Sequence, residues 1–224
     1  MAHHFQFGTL AIGYMDASVA GIPHTGQNTD ANKTHYALYE FDYKNSIVKL
    51  AYQKELMDHL SAGISLSQYK VAFDDVSGAQ NNMDVGVLWD VGPASFSFSA
   101  RNFFAGTEVN YGKDDTGTVL SETLPFQTTF GVQYSLDANA DVLAQVKNSA
   151  GKNLYSVGGR YFLGFVPISL NMGYKQFEVL DQTDSTCVFG VGLFLDKFQF
   201  HYAFEKSSHP SFDNKNYFSM SVLF

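Results

Sequence analysis

The chain has 224 residues, with 14 Lys+Arg against 22 Asp+Glu and a formal net charge of −8. That length fits one domain spanning residues 1–224, and the acidity argues against a nucleic-acid partner. The single cysteine, Cys187, excludes an internal disulfide, and no stretch approaches the roughly 20 apolar residues of a spanning helix. The start, Met1-Ala-His-His-Phe, has neither the basic end nor the apolar core of a secretory signal.

The dominant pattern is an alternation of apolar and polar residues, the period of a strand with two unlike faces. Residues 5–14 place Leu10, Ile12 and Tyr14 on one face. Residues 18–34 are rich in Gly, Asn and Thr and read as a long loop. Residues 36–42 stay unassigned. From 46 to 56, Val48, Leu50 and Tyr52 alternate with Lys49, Ala51 and Gln53; then Leu60, Ala62, Ile64 and Leu66 oppose Ser61, Gly63, Ser65 and Ser67.

The middle repeats the pattern. Met83, Val85, Val87 and Trp89 face away from Asp84, Gly86 and Asp90, and Phe96, Phe98 and Ala100 oppose Ser95, Ser97, Ser99 and Arg101. A second polar loop covers 106–123. Phe130, Val132 and Tyr134 then oppose Gly131, Gln133 and Ser135, while Val142, Ala144 and Val146 oppose Gln145 and Lys147. Tyr155, Val157 and Tyr161 face away from Ser156, Gly158 and Arg160. Leu170, Met172 and Tyr174 are set against Asn171, Gly173 and Lys175. Cys187, Phe189, Val191, Leu193 and Leu195 alternate with Val188, Gly190, Gly192 and Phe194. Phe198, Phe200, Tyr202 and Phe204 oppose Gln199, His201, Ala203 and Glu205.

The closing segment, 216–224, puts Phe218, Met220, Val222 and Phe224 on one face and Tyr217, Ser219, Ser221 and Leu223 on the other. A last strand that alternates this way and stops on Phe resembles the closing strand of bacterial outer-membrane barrels. There the terminal aromatic row belongs to the signal read by the barrel assembly machinery.

About twelve segments emerge, most near the 9–11 residues of a tilted membrane-spanning strand. Their polar faces carry Ser, Gly, Gln, Thr and Asn, where a soluble sandwich would show more Lys and Glu. The connections at 57–58, 90–94, 137–139, 164–166 and 196–197 are short. Those at 18–45, 74–82, 106–123, 149–153, 178–184 and 207–215 are mostly longer and more polar, the asymmetry of outer-membrane barrels. In lipid every backbone donor and acceptor needs a partner. The expected fold is therefore all-β, an antiparallel up-and-down transmembrane β-barrel, with a soluble all-β domain as the alternative.

Several short stretches carry a family likeness. Phe41-Asp-Tyr, Val48-Lys-Leu-Ala-Tyr-Gln-Lys-Glu-Leu and His59-Leu-Ser-Ala-Gly-Ile-Ser-Leu-Ser resemble the PorV/PorQ-type branch of FadL-like outer-membrane barrels. So do Met83-Asp-Val-Gly-Val-Leu, Ser97-Phe-Ser-Ala-Arg-Asn-Phe, Leu124-Pro, Gly158-Gly-Arg-Tyr, Met172-Gly-Tyr and Phe189-Gly-Val-Gly-Leu, in the order that family would have them. The resemblance implies a fourteen-stranded barrel with an N-terminal hatch carrying Asn-Pro-Ala. That element does not occur here, so the expectation is that signal peptide, hatch and about two strands are missing upstream. It also implies an outer-membrane location and either hydrophobic-compound transport or support of a type IX-like secretion system. The implied partners are outer-membrane lipid, the assembly machinery, and hydrophobic ligands or secretion components. A structural or adhesive surface barrel is the remaining alternative.

Polar-face charges are the candidate lumen residues: Lys49, Glu55, Asp84, Asp90, Arg101, Lys147, Arg160, Lys175, His201 and Glu205. Their mixture of signs predicts ion pairs rather than an anion filter. His201 and Glu205, four apart on one strand face, are about 13 Å apart and too distant for a catalytic hydrogen bond. His3, His4, His24, His35, His59 and His209 lack the spacing of a zinc site. Asp114-Asp115, Asp181 and Asp184 read as solvated loop charge rather than a calcium site. No enzyme, metal or cofactor is expected.

Overall fold

A computed structural model describes residues 2–27, 35–74, 76–103, 108–113, 119–179, 182–207 and 214–222. The strands of the first half are β1 (Ala2–Phe5), β2 (Gly8–Gln27), β3 (His35–Met57), β4 (Leu60–Phe73), β5 (Val76–Val91), β6 (Ala94–Arg101), β7 (Glu108–Lys113) and β8 (Val119–Thr123). Those of the second half are β9 (Gln127–Ser135), β10 (Ala140–Ser149), β11 (Lys152–Leu163), β12 (Ile168–Val179), β13 (Gln182–Leu195), β14 (Phe198–Glu205) and β15 (Lys215–Val222). Thirteen strands form one sheet in the order β1-β2-β3-β4-β5-β6-β9-β10-β11-β12-β13-β14-β15, while β7 and β8 pair separately. Sequence neighbours are sheet neighbours except where β6 pairs with β9 and the β7–β8 hairpin lies between them in sequence, so the topology is the expected up-and-down one.

The twelve expected segments are present, and the thirteenth strand is β1. Residues 5–14 are thus not one strand. Phe5 ends β1, and Gly8 opens β2 opposite it. The polar stretches also differ from expectation. Residues 18–27 continue β2, paired with β3 through Val19↔Tyr43, His24↔Tyr39 and Gln27↔His35, and only 28–34 lie outside the described residues. The ladder shifts register between Val19 and Ile22. There Gly21 takes φ +69°, a backbone state that costs glycine little, and its N–H donates to Asp42 Oδ1 at 3.3 Å. Paired backbone tolerates Gly, Asn and Thr, so composition alone mistook ladder for loop.

The same holds for 74–82. β4 runs to Phe73 and β5 begins at Val76, with Gln80 and Asn82 buried. Residues 106–123 hold the β7–β8 hairpin, with Asn110 opposite Ser121, and their tip at 114–118 lies outside the described residues. Strand lengths consequently range from 4 to 23 residues rather than clustering near ten.

Packing divides the chain into two compact units. The first comprises Met1–Leu56, Ala62–Val85 and Ala100–Phe126, and the second Met57–Ser61, Gly86–Ser99 and Gln127–Phe224.

Within the second unit the register aligns the alternation from strand to strand. Tyr134 stands opposite Val142, Val157 opposite Tyr174, Met172 opposite Phe189, Val191 opposite Tyr202, and Phe200 opposite Met220. Directly paired residues share a face, so these rows merge into one apolar face. The other face carries Gln145 opposite Ser156, Asp141 opposite Arg160, Gly192 opposite His201, and His201 opposite Ser219.

Burial is inverted relative to a water-soluble domain. Among the described residues the buried hydrophobics are Val71, Ala100 and Leu154, whereas Ser67, Gln80, Asn82, Asp141, Ser149, Ser169, Thr186 and Glu205 are buried polar groups. Met172 and Phe218 are 65% and 75% exposed. A soluble monomer rarely leaves so continuous an apolar surface to water.

Candidate functional site

The polar face is organised by carboxylates that each gather several donors. In the first unit Lys49 Nζ donates to Asp84 Oδ2 at 2.5 Å, Ser65 Oγ to the same oxygen at 3.2 Å, and the Asn102 N–H to Oδ1 at 3.1 Å. In the second unit Arg160 donates through Nε at 3.0 Å and Nη2 at 2.6 Å to Asp141 Oδ2, while Ser135 Oγ donates to Oδ1 at 2.8 Å. Lys175 Nζ reaches Glu205 Oε2 at 2.8 Å, the Tyr217 hydroxyl donates to that oxygen at 3.1 Å, and Lys215 Nζ lies 3.9 Å from Oε1. Charge-assisted bonds of this kind are the stronger class. They hold the acids down: the side chains of Asp141 and Glu205 are 11% and 8% exposed, those of Arg160 and Lys175 36% and 40%.

Lys49 thus meets Asp84 and Lys175 meets Glu205. Arg160 pairs with Asp141, which the sequence reading did not single out. Asp90 instead accepts from Ser95 Oγ at 2.5 Å. Glu55 and Arg101 are exposed and Lys147 half-exposed, none in an ion pair among the described residues. His201 and Glu205 do not combine. The His201 ring packs edge-on against Phe194 with centroids 5.4 Å apart, while Glu205 is held by Lys175.

Phe162 and Phe194 are aromatic residues on the polar face, opposite Ser169 and Gln199; the alternation placed Phe194 there and left Phe162 unassigned. Their centroids lie 5.6 Å apart, and the Arg160 guanidinium sits over the Phe162 ring at 5.0 Å. Asp141, Arg160, Phe162, Phe194 and His201 therefore form one chain of contacts. Beneath its end, a Cβ at Gly192 would meet Ser169 Oγ at 2.6 Å, His201 Nδ1 at 3.0 Å and Phe194 Cε2 at 3.1 Å. No side chain fits at that position without displacing its neighbours.

Between the Arg160 and Lys175 pairs the polar face hollows into a trough of about 700 Å³, with Ser97, Gly131, Ser156, Gly158 and Gly173 in its lining. Gly158 and Gly173 stand opposite each other, flanked in the same row by Leu143 and Val188. The trough's lining is mainly apolar, with Val132, Leu143, Val157 and Val188 in it, and Gly158 and Gly173 leave its floor nearly free of side chains. On the opposite face of the same strands stand Tyr161, Leu170, Met172, Val191 and Tyr202, exposed.

The comparison concerns a two-faced, up-and-down sheet that is apolar on one face and gathers its charges on the other. This chain shares its fold with outer-membrane β-barrel transporters. The toluene transporter TodX of Pseudomonas putida matches with a TM-score of 0.67 at 10% identity, over 91% of this chain and 73% of TodX. A FadL homologue of Pseudomonas aeruginosa matches with a TM-score of 0.56, also at 10% identity, over 90% of this chain and 67% of the homologue. No family model matches the chain. No curated protein matches it by sequence.

Of the closing-strand residues, Phe218 and Met220 lie on the apolar face opposite Tyr202 and Phe200, and Val222 opposite Phe198. Phe224 lies outside the described residues, as do His209, Asp114, Asp115 and Asp181. His24 Nδ1 lies 3.5 Å from Asp74 Oδ2, which also accepts from the Tyr39 hydroxyl at 2.7 Å. Among the described residues no three His, Cys, Asp or Glu side chains are placed to hold a metal ion.

Proposed function

We propose that this chain is an outer-membrane β-barrel that passes small hydrophobic compounds along its polar face, without catalysing a reaction. The observation that carries this reading is the inverted burial, with Met172 and Phe218 exposed while Asp141, Ser169 and Glu205 are buried. Lipid is the solvent in which that arrangement lowers free energy, because apolar side chains there are not exposed to water. On this reading the polar face is the lumen, and the closing strand, with Phe218, Met220, Val222 and Phe224, presents the row read by the assembly machinery. The fold shared with TodX and with a FadL homologue supports hydrophobic cargo. Support of protein secretion, the other role implied by the PorV-type likeness, rests on the sequence resemblance alone.

The test is fractionation followed by vesicle uptake. The chain is expected in the outer-membrane fraction, and vesicles containing it should take up a hydrophobic aromatic probe faster than empty ones. Recovery in a soluble fraction would overturn the membrane reading; membrane insertion with uptake equal to that of empty vesicles would overturn the transport reading.

A further inference from the structure

We propose that the trough of the second unit selects neutral, ring-bearing molecules that carry one oxygen acceptor, such as an aryl ketone, and discriminates against the matching carboxylates. The inference rests on the transport reading and adds the chemistry of the cargo.

Charge comes first. The two cations in the trough's lining, Arg160 and Lys175, are already neutralised by Asp141 and Glu205, and both acids are nearly buried. A carboxylate entering the trough would share a cation that already has its counter-ion and would sit close to a second negative charge. It would lose hydration without a full ionic partner.

Donors come next. Arg160 spends Nε and one N–H of Nη2 on Asp141, and Lys175 spends one of its three N–H groups on Glu205. The remaining N–H groups have no acceptor among the described residues, and Arg160 and Lys175 are the more exposed member of each pair. A carbonyl or ether oxygen can accept from them with no change in net charge. Such a bond is charge-assisted on the donor side.

Shape completes the case. The glycine row at Gly158 and Gly173 leaves a flat floor, and the edge-on pair Phe194 and His201 walls the trough. A planar ring fits a flat floor beside aromatic edges, and about 700 Å³ accommodates a bicyclic molecule.

The test uses three probes of one ring system: acetylnaphthalene (neutral, with an acceptor), naphthoate (anionic) and ethylnaphthalene (no acceptor). Equilibrium dialysis with the full chain in detergent at neutral pH should rank acetylnaphthalene first, at least ~10-fold tighter than naphthoate and a few-fold tighter than ethylnaphthalene. Glu205→Gln and Asp141→Asn each unmask a cation and should raise naphthoate affinity by about tenfold, erasing the preference. Gly173→Leu, or Ser156→Leu should the first not fold, fills the floor and should abolish binding of all three. Naphthoate binding as tightly as acetylnaphthalene to the native chain, or unchanged by both acid substitutions, would overturn the inference. If vesicle uptake of ethylnaphthalene persists in that case, the transport reading stands and only the charge rule falls. If no probe binds and none is taken up, both fall together.

Discussion

The two faces of the β9–β15 sheet are built from the same strands, yet they obey opposite rules. On the apolar face, contacts are interchangeable: Phe200 opposite Met220 or Val191 opposite Tyr202 needs only to be apolar and to fit beside its neighbours. On the polar face, each group has a named partner. Asp141 takes Arg160 and Ser135, and Glu205 takes Lys175 and Tyr217. The difference teaches where this protein tolerates change. On the membrane reading proposed above, the apolar face penalises charge but is indifferent to identity, whereas a hydrogen-bonded face penalises loss of one particular atom.

The sharpest way to break this comparison is to place the same charge on both faces. Met172→Arg on the apolar face should lower stability in lipid vesicles by about 2–4 kcal/mol, and Gln145→Arg on the polar face by less than about 1 kcal/mol. Urea unfolding of the folded chain in vesicles reads both, and equal losses would mean that one face does not meet lipid. Next in size, Asp141→Ala leaves Arg160 without its acid. Because the guanidinium is about a third exposed, the expected cost is about 1–3 kcal/mol, reduced by solvent screening toward the lower end. A double-mutant cycle with Arg160→Met should recover most of it.

Crowding sharpens the comparison further. Gly192→Ala must push aside Ser169 and His201 and should cost about 1–2 kcal/mol, while Gly13→Ala, with nothing within 4 Å of the new Cβ, should change stability by under about 0.5 kcal/mol. A smaller loss than at Gly192 is expected of Tyr217→Phe. It removes one donor from Glu205 while Lys175 and Lys215 remain, for a loss of about 0.5–1 kcal/mol by the same unfolding measurement.

The sequence was most legible where one face is apolar without interruption. Every alternation read between 130 and 205 falls on the face assigned to it, since a one-residue slip would move each side chain to the wrong side. It was least legible where both faces are polar. Residues 18–27 pair with β3 although their composition is that of a loop, because backbone hydrogen bonds do not depend on side-chain type. Gln80 and Asn82 look solvent-loving and are buried, because burial here lies on the polar side. The candidate site was half legible. Arg160, Lys175 and Glu205 stood out as charges within alternating strands. Asp141 did not, since it is the second residue of β10, between the turn read at 137–139 and the alternation that begins at Val142. Phe194 was read in the row of Gly190 and Gly192, where it lies, whereas Phe162 was hidden for the opposite reason: an apolar residue on the polar face carries no period that distinguishes it from its apolar neighbours.

The bulge at Gly21 bears on how such a chain can change length over time. In a ladder with two unlike faces, adding one residue inverts everything beyond it, so most strands can grow or shrink only in steps of two. β10, β11 and β12 are of this kind, each locked in unbroken register to both neighbours. β2 instead spends three residues, from Val19 to Ile22, where β3 spends two, from Tyr43 to Phe41. A second irregularity, between His24 and Thr25, cancels it: there β3 spends two residues, from Tyr39 to Ala37, where β2 spends one. Single-residue insertions should accumulate there and be purged from β10–β12, so length variation among relatives of this chain would concentrate in the arm that β2 and β3 extend together.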